Sequence, residues 1–185
     1  MALTKLNYTG QGTVPIASIP TITAAKMPAG SVLQTIQTSF TGTVAFTGTA
    51  FQTITGLNTV ITPTSSSSKI LIMVNISQGE GQDAFPAYLL KRGSTTVLIG
   101  DDVPTSEATF FGVCTGNDVR DQYLQSPVNF QFLDSPSTTD ATTYGVQVSP
   151  MRTISRTVQI NESTTMGDAN QGRGCSTMIL QEIAG

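Results

Sequence analysis

The most apolar stretch of the chain lies near its middle and follows a run of four serines at 65–68. Six apolar residues stand there almost without a polar interruption: Ile70, Leu71, Ile72, Met73, Val74 and Ile76. A run this short, apolar at odd and even positions alike and rich in β-branched residues, predicts a strand buried on both faces rather than an amphipathic helix. We expect the rest of the chain to be organised around this central strand.

Shorter apolar patterns, each bounded by turn residues, recur along the chain and predict further strands. They occupy residues 31–37, 51–62, 87–92, 95–100, 128–133, 144–148, 154–160 and 176–183, with a loose edge hairpin or loop at 40–51. No segment has a convincing helical period. The pattern predicts an all-β fold, a jelly-roll-like β-sandwich of roughly eight to ten strands with an extended N-terminal arm. Its first and last strands should pair.

The first 30 residues differ from this pattern, because Pro15, Pro20 and Pro28 interrupt them. Prolines at this density exclude a helix or a central strand. Spaced apolar residues would anchor an extended path along a partner surface: Val14, Ile16, Ile19 and Ile22. We therefore divide the chain into an attachment arm, residues 1–30, and a β-sandwich domain, residues 31–185. A loose tail is the alternative for the arm.

The charge of the chain limits its partners. Charged residues make up 11% of the sequence, the net charge is −3, and no segment clusters Lys or Arg. This argues against nucleic acid and anionic membranes as partners. No apolar run reaches the length of a membrane-spanning helix, and the N-terminus lacks the layout of a signal peptide. We expect no membrane insertion, and a protein that remains in the cytosol of the cell that makes it until lysis.

The chain contains no histidine, which excludes a Ser–His–Asp or Cys–His catalytic arrangement. A carboxylate pair of the glycosidase kind needs two side chains about 5–9 Å apart. Loop residues supply the candidates: Glu80, Asp83, Asp101, Asp102 and Glu107. Their spacing marks no pair, and loop carboxylates are ordinarily solvated. We therefore expect no enzyme, no catalytic or cofactor-binding residue and no cofactor.

Other polar groups give weak signals. One loop contains three possible oxygen ligands for a hard cation: Asn117, Asp118 and Asp121. Because the EF-hand pattern is absent, a solvated loop is the simpler interpretation. Two cysteines without histidine do not form the usual zinc site, so we predict no metal site. Free, buried thiols are expected at Cys114 and Cys175, and a disulfide is the alternative if the fold brings them together.

Two further patterns are interpreted without a binding role. Three glycosylation sequons are chance matches in a chain without a secretory signal: those at Asn7, Asn75 and Asn161. Small basic pairs are interpreted as strand-end charges that favour solubility: Lys91 with Arg92, and Arg152 with Arg156.

Five segments stand out as an ordered set: Met27-Pro-Ala-Gly-Ser-Val-Leu-Gln34, Ser65-Ser-Ser-Ser-Lys-Ile-Leu-Ile-Met-Val74, Ala87-Tyr-Leu-Leu-Lys-Arg-Gly-Ser-Thr-Thr-Val-Leu-Ile-Gly-Asp101, Phe132-Leu-Asp-Ser-Pro-Ser-Thr-Thr-Asp-Ala-Thr-Thr-Tyr-Gly-Val-Gln147 and Ser176-Thr-Met-Ile-Leu-Gln-Glu-Ile-Ala-Gly185. Together they resemble the globular domain of tailed-bacteriophage fibre and appendage proteins, as in marine phages. The resemblance covers residues 27–185.

The resemblance implies a virion protein with a jelly-roll-like domain, usually a homotrimer, on a tail fibre, a tail tip or a capsid appendage. This chain departs from a long fibre because it has no coiled-coil or repetitive shaft. A compact knob, bound to other phage virion proteins through residues 1–30, is therefore the expected form. An apolar trimer face would come from Phe110 and Phe111 or from Phe130 and Phe132, although these are more simply interpreted as core residues.

The first functional hypothesis is thus a structural virion protein, a trimeric tail-fibre or appendage knob. Its loops at 101–127 and 161–174 would be outermost and would contact a glycan or protein of the host surface. The second is a capsid decoration or head-fibre protein. The third, from another class, is a particle-associated glycan-degrading enzyme that would depend on Asp101, Asp102 or Glu107.

Overall fold

The structure, a computed structural model, describes residues 23, 26–79, 86–98, 100, 111–112, 125–150, 157–163 and 172–185, with residues 111–112 described by their backbone alone. Twelve strands lie in these residues: β1 (Val32–Phe40), β2 (Val44–Thr47), β3 (Gln52–Thr53), β4 (Thr59–Ile61), β5 (Lys69–Gly79), β6 (Ala87–Arg92), β7 (Thr95–Leu98), β8 (Phe111–Gly112), β9 (Gln125–Asp134), β10 (Thr142–Ser149), β11 (Thr157–Ile160) and β12 (Ser176–Ile183). The predicted all-β fold is confirmed.

The strands form two antiparallel six-stranded sheets around one core. In the first sheet, β5 pairs with β9 along one edge and with β12 and β11 along the other, and β1 and β2 lie beyond them. In the second sheet, β10 pairs with β3 and β4 along one edge and with β6 along the other. Strands β7 and β8 both pair with the far edge of β6.

Two strands lie in line and share one position in four cases: β1 with β2, β3 with β4, β7 with β8, and β11 with β12. The twelve strands therefore fill eight positions, four in each sheet. Numbered along the chain, the positions run 6-3-8-1 in the first sheet and 5-4-7-2 in the second, which is the order of an eight-stranded jelly roll. The expected pairing of the first and last strands is also confirmed, since β1 and β12 run together from Val32 opposite Ile183 to Phe40 opposite Ser176.

The strand predicted over residues 51–62 is broken in the structure into β3 and β4. A 3-10 turn at Thr55–Leu57 separates the two strands. Phe40 explains the break, because a Cβ placed on Gly56 would overlap the aromatic ring of that residue. Only glycine allows the backbone to pass so close to the ring, and the sheet is interrupted at that point.

The core lies between the two sheets and is built around the inward face of β5. Its inward residues are 0–4% exposed: Ile70, Ile72, Val74 and Ile76. Burying a side chain of this kind contributes about 1.5–3 kcal/mol, so this face alone is a large part of the driving force. The outward residues Leu71 and Met73 are only half-buried. The prediction of burial on both faces of the central strand is therefore correct for one face and wrong for the other.

Two buried tyrosines tie the sheets together at opposite ends of the sandwich. Near one end, the Tyr144 hydroxyl of β10 donates to Oδ2 of Asp134 in β9 over 2.6 Å, and Nη1 of Arg92 lies 2.7 Å from the same oxygen. Near the other end, the Tyr88 hydroxyl of β6 donates to Oε1 of Gln78 in β5. Burial, together with the adjacent Asp134 carboxylate, raises the pKa of Tyr144 above its usual range, so its hydroxyl stays protonated and donates.

Among the described residues, no helix is long and apolar enough to cross a membrane.

Replacing Tyr144 by phenylalanine should lower the free energy of unfolding by about 1–2 kcal/mol, because a buried hydrogen bond is lost while Asp134 keeps its ion pair. Chemical unfolding at neutral pH measures the difference. Thr95→Ala, at an exposed position of β7, is the control and should change stability by less than about 0.5 kcal/mol. Equal stability of the Tyr144→Phe variant and the wild type would contradict the role assigned to the hydroxyl.

Candidate functional site

The cross-sheet contacts define two ends of the sandwich that differ in what they carry. The arm end contains Asp134 with residues 26–31 and 184–185. The loop end contains Gln78 with residues 125–127 and 172–174. Strand β5 runs from the arm end to the loop end, so its 11 residues separate the two by about 35 Å. We consider both ends as candidate contact sites.

At the arm end, the segment that enters β1 is paired with the end of the chain. The Gly30 amide donates to the Ala184 carbonyl over 2.8 Å, and the Ala184 amide donates to the Ser31 carbonyl over 2.8 Å. Gly30 has a φ of +86°, a conformation that favours glycine and turns the chain into the strand. Residues 26–30 of the predicted arm are therefore fixed to the sandwich, whereas residues 1–22 lie outside the described part of the chain.

A cleft of about 360 Å³ opens beside this segment. Its lining combines apolar and hydroxyl side chains with the last two residues of the chain: Met27, Leu33, Thr64, Ser65, Ala184 and Gly185. Met27 is 37% exposed and belongs to the predicted arm. The arm end thus offers a shallow, mixed surface at the point where the arm joins the domain.

A buried carboxylate holds the arm end together. Glu182 of β12 points inward and is fully buried. Its Oε1 accepts hydrogen bonds of 2.7 Å from both the amide and the hydroxyl of Thr64, and its Oε2 accepts one of 2.6 Å from Nε2 of Gln34. Burial alone would raise the pKa of this carboxyl, but these hydrogen bonds outweigh it and lower the pKa below its usual value of 4.5.

Glu182 should therefore stabilise the fold in a pH-dependent way. Its pKa is lower in the folded than in the unfolded chain, so its contribution is present above about pH 4.5 and is lost as the pH falls through the folded value. Glu182→Gln would place an amide group against the amide of Gln34. The substitution should lower the free energy of unfolding by about 1–3 kcal/mol at pH 7 and by less at pH 3. Thermal unfolding across this pH range gives the comparison.

The control for this experiment is Asp140→Asn, at an exposed carboxylate in the loop between β9 and β10. The difference between this variant and the wild type should stay small throughout the pH range. A Glu182→Gln penalty that is the same at pH 3 and pH 7 would contradict the assignment, because the ionised carboxylate would then contribute nothing.

At the loop end lie several of the residues that border gaps in the described part of the chain. Gly79 lies opposite both Gln125 and Gln159. In the second sheet, Ala87 lies opposite Gly112 and Ser149. Segments 80–85, 113–124, 151–156 and 164–171 all connect to residues at this end. The two loops predicted to be outermost, 101–127 and 161–174, therefore join the sandwich at the same end.

The bounds of these two predicted loops need correction. Residues 125–127 belong to β9, and residues 111–112 form β8. In the second loop, Asn161 and Gly174 form part of the base, because the Gly174 amide donates to the Asn161 carbonyl over 2.9 Å. Apart from residues 162–163 and 172–173, the rest of both loops lies outside the described residues, as do the side chains of Phe110 and Phe111.

Asn161 is the buried polar centre of the loop end. Its Nδ2 donates to the carbonyls of Phe40 and Gly42 over 2.7 and 2.8 Å, and its Oδ1 accepts the Ser176 hydroxyl over 2.6 Å. Its backbone amide donates to the Ser77 carbonyl over 2.7 Å. The residue has a φ of +64°, which asparagine tolerates better than most residues. These contacts link β1, β5 and β12 at the base of the 161–174 loop.

Two substitutions distinguish the contribution of the Asn161 side-chain hydrogen bonds to stability from that of its backbone conformation. Asn161→Gly keeps the positive φ but removes the hydrogen bonds, and should cost about 2–3 kcal/mol. Asn161→Ala should cost about 1 kcal/mol more, because alanine also resists the left-handed conformation. Chemical unfolding of both variants measures the two terms. Equal stability of the alanine and glycine variants would contradict the backbone contribution.

The predicted catalytic and cation candidates lie outside the described residues: Glu80, Asp83, Asp101, Asp102, Glu107, Asn117, Asp118 and Asp121. Within the described part of the chain, no group of three or more possible metal-ligating side chains occurs. Cys175 is a free thiol there and is exposed, so the expectation of a buried thiol is wrong for this residue. Cys114 lies outside the described residues.

Several other interpretations are decided by the geometry. Phe130 and Phe132 are partly buried and pack against the core, as the simpler of the two interpretations expects. Arg92 is more than a solubility charge, because it pairs with Asp134, whereas Arg152 and Arg156 lie outside the described residues. The amide of Asn161 is buried and fully bonded, as fits a chance sequon.

Glu182, Asn161 and Asp134 organise the two ends, yet the sequence alone did not single them out. One signal was available for Glu182, since it occupies the same face of β12 as Met178 and Leu180 by simple alternation. An acidic side chain at an inward position requires partners. Asn161 offered only its place at the start of a glycine-rich loop.

No protein-family model matches the sequence, and no curated protein matches it. Among solved structures, the chain is similar to one in the structure of infectious bursal disease virus Gt strain, with a TM-score of 0.42 and 12% identity over 90% of this chain and 43% of that chain. It is also similar to one in the structure of infectious bursal disease virus Gx strain, with a TM-score of 0.37, 14% identity and the same coverage of 90% and 43%. The chain spans less than half the length of either.

Proposed function

We propose that this chain is a structural protein of a virus particle, a knob of a tailed-phage fibre or appendage that assembles as a homotrimer. In this proposal, residues 1–30 attach the knob to other virion proteins. The loop end faces away from the particle and contacts the host surface. The sequence resemblance over residues 27–185 provides the starting point, and the jelly-roll order of the strands is the fold that it implies.

The observation that carries the proposal is the separation of the two ends. The arm joins the sandwich beside Ala184, at the arm end. The segments 80–85, 113–124, 151–156 and 164–171 connect to the loop end, about 35 Å away along β5. A domain held by its arm therefore presents to the surroundings the end at which these four segments connect, whereas the connections 62–68, 93–94 and 135–141 lie at the arm end. Binding residues are often found on loops that a rigid scaffold positions, which supports a contact role for this end.

The buried polar centres support the same division of roles. Glu182 fixes the arm end by hydrogen bonds from Gln34 and Thr64. Asn161 fixes the base of one loop excursion at the opposite end. Each end is thus anchored to the sandwich by its own hydrogen-bond network. The connecting segments can then change without loss of the core that holds them.

Cryo-electron microscopy of the intact particle, with mass spectrometry of its proteins, tests the proposal. We expect three copies of the chain at each site on the tail or a fibre, with the arm end toward the particle and the loop end away from it. Many copies spread over the head would replace this function by capsid decoration. Absence of the chain from mature particles, or a loop end buried in the particle, would overturn the proposal.

A deletion of residues 2–22 provides the matched variant. It leaves residues 26–31 and their contacts with Ala184 in place, so the domain should unfold at the same temperature as the wild type. The variant should nevertheless be absent from assembled particles. A deletion variant that is incorporated normally would contradict the attachment role of the arm.

Release of reducing sugar from host polysaccharide, lost on substitution of Asp101, Asp102 or Glu107, would favour the enzyme hypothesis instead.

A further inference from the structure

The outward face of the first sheet is used neither by the core nor by the two ends. It includes the second side of β5, the strand whose sequence predicts burial on both faces. One chain buries only the inward side, while Leu71 and Met73 remain half-buried and the neighbouring Leu133 is 49% exposed. We propose that a second copy of this chain covers this face, so that the face is the self-association surface of the protein.

Cross-strand register arranges the outward side chains in rows that run across the sheet. Three complete rows cross β1, β12, β5 and β9: Thr35–Gln181–Leu71–Leu133, Gln37–Ile179–Met73–Gln131 and Ser39–Thr177–Asn75–Asn129. The first two rows place four large apolar side chains together at the centre of the face. An open groove of about 510 Å³ runs beside them and is lined in part by Met73, Ile179, Gln131 and Asn129. The face is therefore an apolar centre with an uncharged polar surround.

The chemistry of the surround favours a copy of the same chain as the partner. None of the twelve side chains in the three rows is charged, and Lys69 stands at the arm-end margin. A neutral face has no attraction for a charged partner and meets its own copy without repulsion between like charges. Five of the twelve are amides: Gln37, Gln131, Gln181, Asn75 and Asn129. Some of their hydrogen bonds are made within the face, where Asn75 donates to Asn129, Gln37 to Ser39 and Gln181 to Thr35. Since an amide both donates and accepts, the groups that remain are complementary to those of a second copy.

The size of the face is sufficient for a specific contact. Four strands at their usual spacing, over the length of β5 from Lys69 to Ser77, cover about 500 Å² in projection. Two such faces together would bury about 1,000 Å², the size at which specific interfaces begin. Depletion of charged residues at the centre is also typical of interface cores. We therefore expect a reversible association between free copies rather than an obligate one.

Sedimentation equilibrium of the isolated full chain tests the inference. Leu133→Glu places a charge on the face at an exposed position, and Gln131→Lys repeats the test at a second exposed position of β9. The control is Val60→Glu, since Val60 is 50% exposed and lies in the opposite sheet. We expect the wild type and Val60→Glu to associate alike at micromolar concentration. The two face variants should associate at least about tenfold more weakly.

Thermal unfolding should show that all three variants remain folded, because each substituted side chain is exposed. A wild type that stays monomeric overturns the inference. Face variants that associate as strongly as Val60→Glu also overturn it. Footprinting of Met73 by hydroxyl radicals gives a direct readout, since its oxidation should be slower in the wild type than in Leu133→Glu at the same concentration.

The inference does not rest on the proposed function, because a face that meets its own copy joins two chains about a two-fold axis. It would join the knobs of neighbouring trimers rather than form the trimer. The two fail in different experiments. Absence of the chain from virus particles would remove the proposed function and leave an association that depends on Leu133. Incorporation into particles at three copies per site, with an association unaffected by Leu133→Glu, would keep the proposed function and overturn this surface.

Discussion

Burial of the inward face of β5 is the interaction on which the other features of the sandwich depend. Ile70, Ile72 and Val74 fill the space between the sheets, and β9 and β12 satisfy the backbone on either side of them. Strand β12 can occupy its place only because β1 covers its other edge, which brings the first strand beside the last. The chain is thereby closed by contacts that are distant in sequence, as a jelly roll requires.

Closing the sandwich in this way forces polar groups into the interior at both ends, and the structure satisfies them in place. Asp134 is paired with Arg92 and accepts from Tyr144, so its charge is balanced. Glu182 receives three hydrogen bonds, and Asn161 uses both its amide nitrogen and its oxygen. Unpaired, each of these groups would cost a few kcal/mol, which is comparable with a large part of the net stability of a domain. Hydrogen bonds and an ion pair therefore stabilise the ends of the sandwich, whereas apolar burial stabilises its middle.

Alternation of apolar and polar residues was sufficient to predict the strands and the fold class. It correctly placed Val128, Phe130 and Phe132 on the inward face of β9, because inward positions repeat every second residue. It could not identify the partners of the buried polar groups, since Thr64 and Glu182 are 118 positions apart. It also missed the break at Gly56, which is imposed by Phe40 from another strand. Local patterns carry no information on contacts of this range.

The central strand has more apolar residues than alternation requires, and this excess has a physical meaning. An antiparallel sheet with one solvated face needs apolar residues only at alternate positions. Leu71, Met73 and Ile179 add apolar side chains on the other face, where a single chain gives them no complete cover. On a particle, the proposed arms would hold neighbouring copies close together and raise their effective concentration to the millimolar range. A face of modest area is then enough to pair two such copies, and the arm and the outward face would both contribute to assembly on the particle.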